Sequence, residues 1–339
     1  MKQRLLGRSG TVVSEVALGT MTFGMEADEA ESHAMLDAFA AAGGTLIDTA
    51  DVYSRGISES IIGRWLAANP DQAEVMVIAS KARFAMGEDA NDLGSSRRHL
   101  RRAIDASRQR LGVDCLDLFQ LHAWDPLTPI DETLSAIDDE IRAGRIAYWG
   151  VSNFTGWQLT KAVHLAAARG MDAPVTIQPQ YSLLSREIEF EIVPAALDAG
   201  LGLLPWGPLA GGWLTGKYRR DTAPTGATRL GEDPERGMEA YGRRSTDERT
   251  WAVLDALHAV ADEHAAPPAS IALAWLQGRP GMTSVILGAR TVAQLEQNMA
   301  AGSLELSPEQ RARLDAASAP AAPDYPYGEL GVEQRARRL

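Results

Sequence analysis

The chain has one cysteine in 339 residues, more acidic than basic side chains, and no long apolar run. Each scarcity excludes something. Cys115 alone cannot close an internal disulfide, and its place in an apolar stretch marks a small core residue rather than a nucleophile, which suits a reducing cytoplasm. With 33 basic against 45 acidic side chains the formal charge is -12, which argues against nucleic acid or an anionic membrane surface as partner, since both reward a basic face. The longest uncharged run, 199–216, is broken by Pro205, Pro208 and repeated glycines, so it reads as a strand and its loop and not as a membrane helix. The opening Met1-Lys2-Gln3-Arg4-Leu5-Leu6 has no useful apolar stretch, and no secretory leader is expected.

Three motifs are missing as well. No G-x-G-x-x-G follows a predicted strand, which removes a Rossmann dinucleotide site. Gly150-Val151-Ser152-Asn153-Phe154 approaches a hydrolase nucleophile elbow, but Phe154 puts bulk where the sharp turn needs glycine. His33, His99, His122, His164, His258 and His264 show no paired ligand spacing, so no metal site is expected.

What is present is a repeat of strand and helix. Apolar runs without polar alternation, as in strands buried on both faces, fall at 16–21, 45–48, 75–81, 115–122, 147–152, 175–178, 202–206 and 284–287. Helical patterns separate them. In 95–111, Leu100, Ile104 and Leu111 share one face and the arginines Arg97, Arg98, Arg101, Arg102 and Arg108 lie largely elsewhere, as on a solvated helix face. Pro129 and Asp131 open another helix that Gly144 ends, and capping boxes are expected at Thr291 with Gln294 and at Ser307 with Gln310. Eight such units predict a (β/α)8 TIM barrel, one domain over 1–339, with two additions. A polar segment, 217–246, follows the seventh strand as a candidate lid or binding loop, and an irregular tail begins at Ser318.

Strand ends of such a barrel gather at one mouth, so Asp48, Lys81 and His122 are expected as neighbours, with Tyr53 on the loop after Asp48. A phenol is a weak acid; a nearby ammonium favours phenolate, and a carboxylate keeps that lysine charged and placed. Tyr53, Lys81 and Asp48 thus make a tuned proton donor, and His122 can orient or polarise a carbonyl oxygen.

The stretches Leu18-Gly19-Thr20-Met21-Thr22-Phe23-Gly24, Ile47-Asp48-Thr49-Ala50-Asp51-Val52-Tyr53, Ala79-Ser80-Lys81, Asp117-Leu118-Phe119-Gln120-Leu121-His122 and Gly150-Val151-Ser152-Asn153-Phe154 resemble the signatures of the aldo-keto reductase superfamily. The resemblance runs in order from Arg4 to Asn298. It implies NADPH-dependent reduction of a small carbonyl substrate, with the tetrad Asp48, Tyr53, Lys81 and His122. It also implies cofactor contacts. Thr20, Met21 and Asp48 are among them; Ser152, Asn153 and Gln178 hold the nicotinamide carboxamide; Trp206 stacks on its ring. Gly207, Leu209 and Gly211 lie under the pyrophosphate with Lys217, and Arg229 clamps a phosphate. Gly288, Arg290, Gln294, Gln297 and Asn298 form the adenosine-phosphate site, Arg290 taking the 2'-phosphate, as fits an arginine at a helix start. Ser54, Ala123 and Gly207 depart from the family pattern, the first two beside the substrate pocket. Met21, Phe23, Phe84, Trp124, Tyr325 and Tyr327 are candidates for its lining. The same fold and cofactor would also serve a redox-sensing regulatory subunit of the potassium-channel beta type. The particular substrate and the oligomeric state are not legible.

Overall fold

The computed structural model describes residues 1–328 apart from 221, 227 and 236, and the backbone but not the side chains of 301 and 303. Those three positions of the 217–246 segment and the tail beyond 328 lie outside the described residues.

A short antiparallel hairpin, β1 (Gln3–Leu5) with β2 (Val12–Ser14), precedes eight parallel strands. These are β3 (Val16–Gly19), β4 (Leu46–Asp48), β5 (Val77–Ala82), β6 (Leu116–Leu121), β7 (Ile146–Ser152), β8 (Thr176–Gln178), β9 (Gly202–Leu203) and β10 (Val285–Gly288). From β3 to β9 each pairs with the next, and β10 returns to pair with β3. Between β9 and β10 the backbone nearly closes the ring: Leu203 N–H donates to Gly281 O at 2.9 Å and Ile286 N–H to Pro205 O at 3.0 Å. The expected TIM barrel is therefore what the chain forms.

Alternation along the strands sorts the side chains into two cores. Ala17, Leu46, Ala79, Leu118, Leu204 and Ile286 fill the inside of the barrel together with Leu6 and Val13 from the hairpin region, which plugs one end. Their neighbours, among them Leu18, Ile47, Ile78 and Phe119, pack outward against Leu100, Ile104 and Leu111 of helix Arg97–Leu111 and Leu134 and Ile137 of helix Ile130–Arg142. Successive residues of a strand point to opposite faces, so two steps on from Leu46, Ala79 and Leu118 come Asp48, Lys81 and Gln120 on the inner face. This periodicity delivers the polar layer to the mouth.

Several boundaries differ from expectation, for local reasons. The third barrel strand starts at Val77 because Val75 and Met76 donate back to Gln72 O in a turn. The first stops at Gly19, where Thr20 O accepts from Phe23 N–H. The seventh stops at Leu203, short of Pro205, which has no N–H for the ladder. The fourth spans Leu116–Leu121, leaving Cys115 half-buried just before it. The hairpin of β1 and β2 was not visible in the pattern, since strands of three residues carry almost no periodicity.

The arginine face of helix Arg97–Leu111 is not solvated throughout: Arg97 and Arg101 pair with Asp139 and Glu140 of the next helix. The capping box at Ser307 and Gln310 is present, whereas Gln294 Oε1 accepts from Arg290 N–H, one residue earlier than a box on Thr291 requires. The polar segment folds into short helices, Arg229–Glu232 and Tyr241–Ser245, packed through Leu230 and Tyr218. The tail reaches Tyr327, whose ring stacks on Phe190 at 5.4 Å and whose hydroxyl meets Glu191. No described helix is long and apolar enough to cross a membrane.

Candidate active site

Lys81 is the junction of the polar layer. Fully buried, its ammonium donates to Asp48 Oδ2 at 2.6 Å, Thr49 O at 2.8 Å and Tyr53 Oη at 3.2 Å, which uses all three of its protons. Burial alone would discharge the amine, but Asp48 and the Tyr53 oxygen hold its pKa above the ordinary lysine value. Because Lys81 donates to Tyr53 Oη, the phenol's own hydrogen is aimed elsewhere. Burial pushes the phenol's pKa up and outweighs the pull of Lys81, so Tyr53 keeps its proton, where the expectation was a phenol eased toward phenolate.

Asp48 is fixed from its other side. Its Oδ1 accepts from Gln178 Nε2 at 2.8 Å and Gln120 Nε2 at 3.2 Å. Gln120 was overlooked in the sequence, although two-residue spacing from Leu118 on the inner face could have found it. Thr20, expected as a cofactor contact, is fully buried with its hydroxyl given to Asp48 O at 3.1 Å. It braces the strand end. Ser54 and Arg55, just after Tyr53, have left-handed φ of 49° and 53°, and Ser54 Oγ ties the turn to Phe23 O at 2.8 Å. Such strain is uncommon outside glycine and collects at functional turns.

His122 stands at the end of β6, its ring edge-on to Tyr53 at 5.9 Å and to Phe84 at 4.7 Å. Burial, then Lys81 and Arg83, press its pKa down to about 2, so the imidazole is neutral at any working pH. Asp51 is wholly buried beside this layer without a side-chain partner for either oxygen, and burial followed by the Glu59 charge raises its pKa to about 7.

Next around the mouth, Ser152 Oγ donates to Gln178 O at 2.8 Å, Asn153 Nδ2 to His122 O at 3.0 Å, and Trp206 Nε1 to Asn153 Oδ1 at 3.0 Å. Trp206 is half-buried and Met21 is exposed. Beyond it Gly207, Gly211 and Gly212 take left-handed φ of 66°, 63° and 100°, which glycine adopts without strain, in the loop that leads to Lys217. Leu209 is half-buried among them. Lys217 lies close to Arg290 and Arg229, and burial together with those two charges lowers its pKa. Arg290 donates from Nη1 to Glu232 Oε1 at 3.0 Å, and its Nη2 lies 2.9 Å from Glu232 Oε2 and 3.8 Å from Glu26. Gly288 and Gln297 are exposed and Asn298 half-buried around it, while Gln294 is held by the Arg290 backbone. Of the proposed pocket lining, Phe23 is fully buried core, Phe84 faces His122, and Trp124 packs on Phe154 at 5.2 Å.

A dinucleotide fits these features on physical grounds: an aromatic face at the mouth, a glycine loop next to it, and three cations whose mutual repulsion an anion would relieve. The sequence model of the aldo/keto reductase family matches residues 15–319. The chain is 36% identical to the uncharacterized oxidoreductase YrpG of Bacillus subtilis over 91% of its own length and 93% of that protein's. A probable voltage-gated potassium channel subunit beta of Oryza sativa is 35% identical, covering 89% of this chain and 91% of that one. Versiconal hemiacetal acetate reductase of Aspergillus parasiticus is 30% identical over 95% and 98%.

Proposed function

The chain belongs to the aldo/keto reductase family, and we propose that it uses NADPH to reduce an aldehyde or ketone to the alcohol, as a soluble cytoplasmic enzyme. The observation that carries this reading is the fully buried Lys81 ammonium bridging Asp48 at 2.6 Å and Tyr53 at 3.2 Å. When bound, the reduced nicotinamide supplies the hydride to the carbonyl carbon. Tyr53 gives its proton to the carbonyl oxygen, and the adjacent Lys81 stabilises the phenolate that remains. Asp48, clamped by Gln120 and Gln178, keeps Lys81 charged and in place. His122, neutral in this setting, offers a hydrogen bond that orients the oxygen without competing as an acid. Trp206, Ser152, Asn153 and Gln178 would hold the nicotinamide end, Gly207 to Gly211 with Lys217 and Arg229 the diphosphate, and Arg290 the 2'-phosphate.

The likeness to a channel beta subunit favours a second reading, a cofactor-binding sensor with little turnover. Steady-state oxidation of NADPH with a panel of small aldehydes separates the two. Turnover with at least one aldehyde is expected; tight NADPH binding with none across the panel would favour the sensor.

A further inference from the structure

Arg83 stands at the mouth with its charge uncommitted. It follows β5 by one residue and Lys81 by two, with a φ of 155° that breaks from the strand, and the preceding residue, Ala82, accepts from His122 N–H at 3.0 Å. Carrying the β5–β6 register one pair beyond Ala82 and Leu121 sets it beside His122. The guanidinium carbon lies 5.4 Å from the centre of the Phe84 ring, and that ring meets His122 edge-on. Its charge is felt at His122, where it adds to the forces that keep the imidazole neutral.

Arg83 Nε is buried with no hydrogen-bond partner, and no described carboxylate forms an ion pair with Arg83. Asp125, an acid within reach of its charge, is engaged otherwise: it accepts from Ser95 N–H at 2.8 Å, Leu127 N–H at 3.0 Å and Thr128 Oγ1 at 2.6 Å. A guanidinium also offers its two Nη–H groups as a planar fork that matches the two oxygens of a carboxylate. An exposed arginine would satisfy its Nε with water; here that donor is buried and unpaired.

We propose that Arg83 binds a carboxylate carried by the substrate, so that the preferred carbonyl compound is an oxo acid. The inference rests on carbonyl reduction as the reaction. Phe84, between the guanidinium and His122, provides an apolar floor for the carbons that join the two ends of such a molecule.

The test compares oxo acids of increasing length, and 2-, 3- and 4-carboxybenzaldehyde, with their methyl esters. For at least one pair the wild type should favour the acid in kcat/KM by about tenfold or more. Arg83→Gln should lower kcat/KM for that acid at least ten times more than for its ester, through KM, and Arg83→Lys should fall between because it keeps the charge without the fork. No acid preference at any length, or equal loss for acid and ester in Arg83→Gln, overturns the proposal. Should neither acids nor esters turn over, the reductase reading has failed, and calorimetric binding of the three carboxybenzyl alcohols to the NADPH-loaded protein decides. Binding lost in Arg83→Gln and partly kept in Arg83→Lys sustains the carboxylate site; binding that is absent or indifferent to Arg83 removes it.

Discussion

Asp48, Lys81 and Tyr53 at the floor of the mouth have their charges and protons matched before any ligand arrives, whereas Lys217, Arg229 and Arg290 at the rim repel one another. The floor is built from Asp48 and Lys81, buried on strand ends, and Tyr53, half-buried on the short helix Tyr53–Gly56. The rim is built from loops and a short helix, and Arg290 borrows the carboxylate of Glu232 on that helix. On the proposed function, the difference follows from what each would do. A proton donor works at full rate only if its partners are fixed beforehand, since reorganisation would be added to the barrier. A polyanion site gains affinity from cations that are unfavourable together until the anion joins them.

The comparison predicts that damage to the floor affects chemistry and damage to the rim affects binding. Tyr53→Phe removes the donated proton and keeps the ring, so kcat with any accepted aldehyde should fall by about 10²–10⁴-fold. The NADPH dissociation constant, measured by fluorescence titration, should hardly move; turnover at the wild-type level would end the proton-donor role. At the rim, Arg290→Ala deletes a charge-assisted hydrogen bond to the 2'-phosphate and should weaken NADPH by roughly 10–100-fold, but NADH far less. Equal loss for both coenzymes would remove that role. Glu232→Gln is the converse: freeing Arg290 should tighten NADPH, and weaker binding would mean that Glu232 supports the site instead of occupying it.

The floor was also the more legible region. Asp48, Lys81 and His122 end apolar runs, and strand periodicity leaves a polar side chain there little choice of direction. The rim was harder because 217–246 has no periodicity to read, and the pairing of Arg290 with Glu232 crosses 58 residues of chain. Thr20 shows the limit of motif reading: within the expected motif, its hydroxyl serves Asp48 and Ser58 inside the protein. Ser54 is the opposite case, since its departure from glycine led to a strained turn tied to Phe23. Gln120 was within reach of strand spacing, two residues on from Leu118, whereas the hairpin of β1 and β2 and the buried Asp51 gave no signal that composition or spacing could single out.

Asp51 and His122 belong to the floor, yet both are buried against their charge, and the match there can be broken by pH. His122 titrates near 6.5 when unfolded and about 2 when folded, so below pH 6.5 the unfolded chain binds a proton that the native state refuses, and stability falls with acid. Asp51 rises from 3.8 to about 7 on folding, so between those values the native state holds the extra proton, and stability falls as pH rises. The two slopes are each about 1.4 kcal/mol per pH unit and opposite in sign between roughly pH 4 and 6.5, so they cancel there. Asp51→Asn removes one of them. Urea unfolding at several pH values in that window should show the variant losing stability relative to wild type by about 1.4 kcal/mol for each unit of acidification. Parallel curves for the two proteins would mean that Asp51 carries no extra proton when folded, and that its negative charge is balanced within the layer after all.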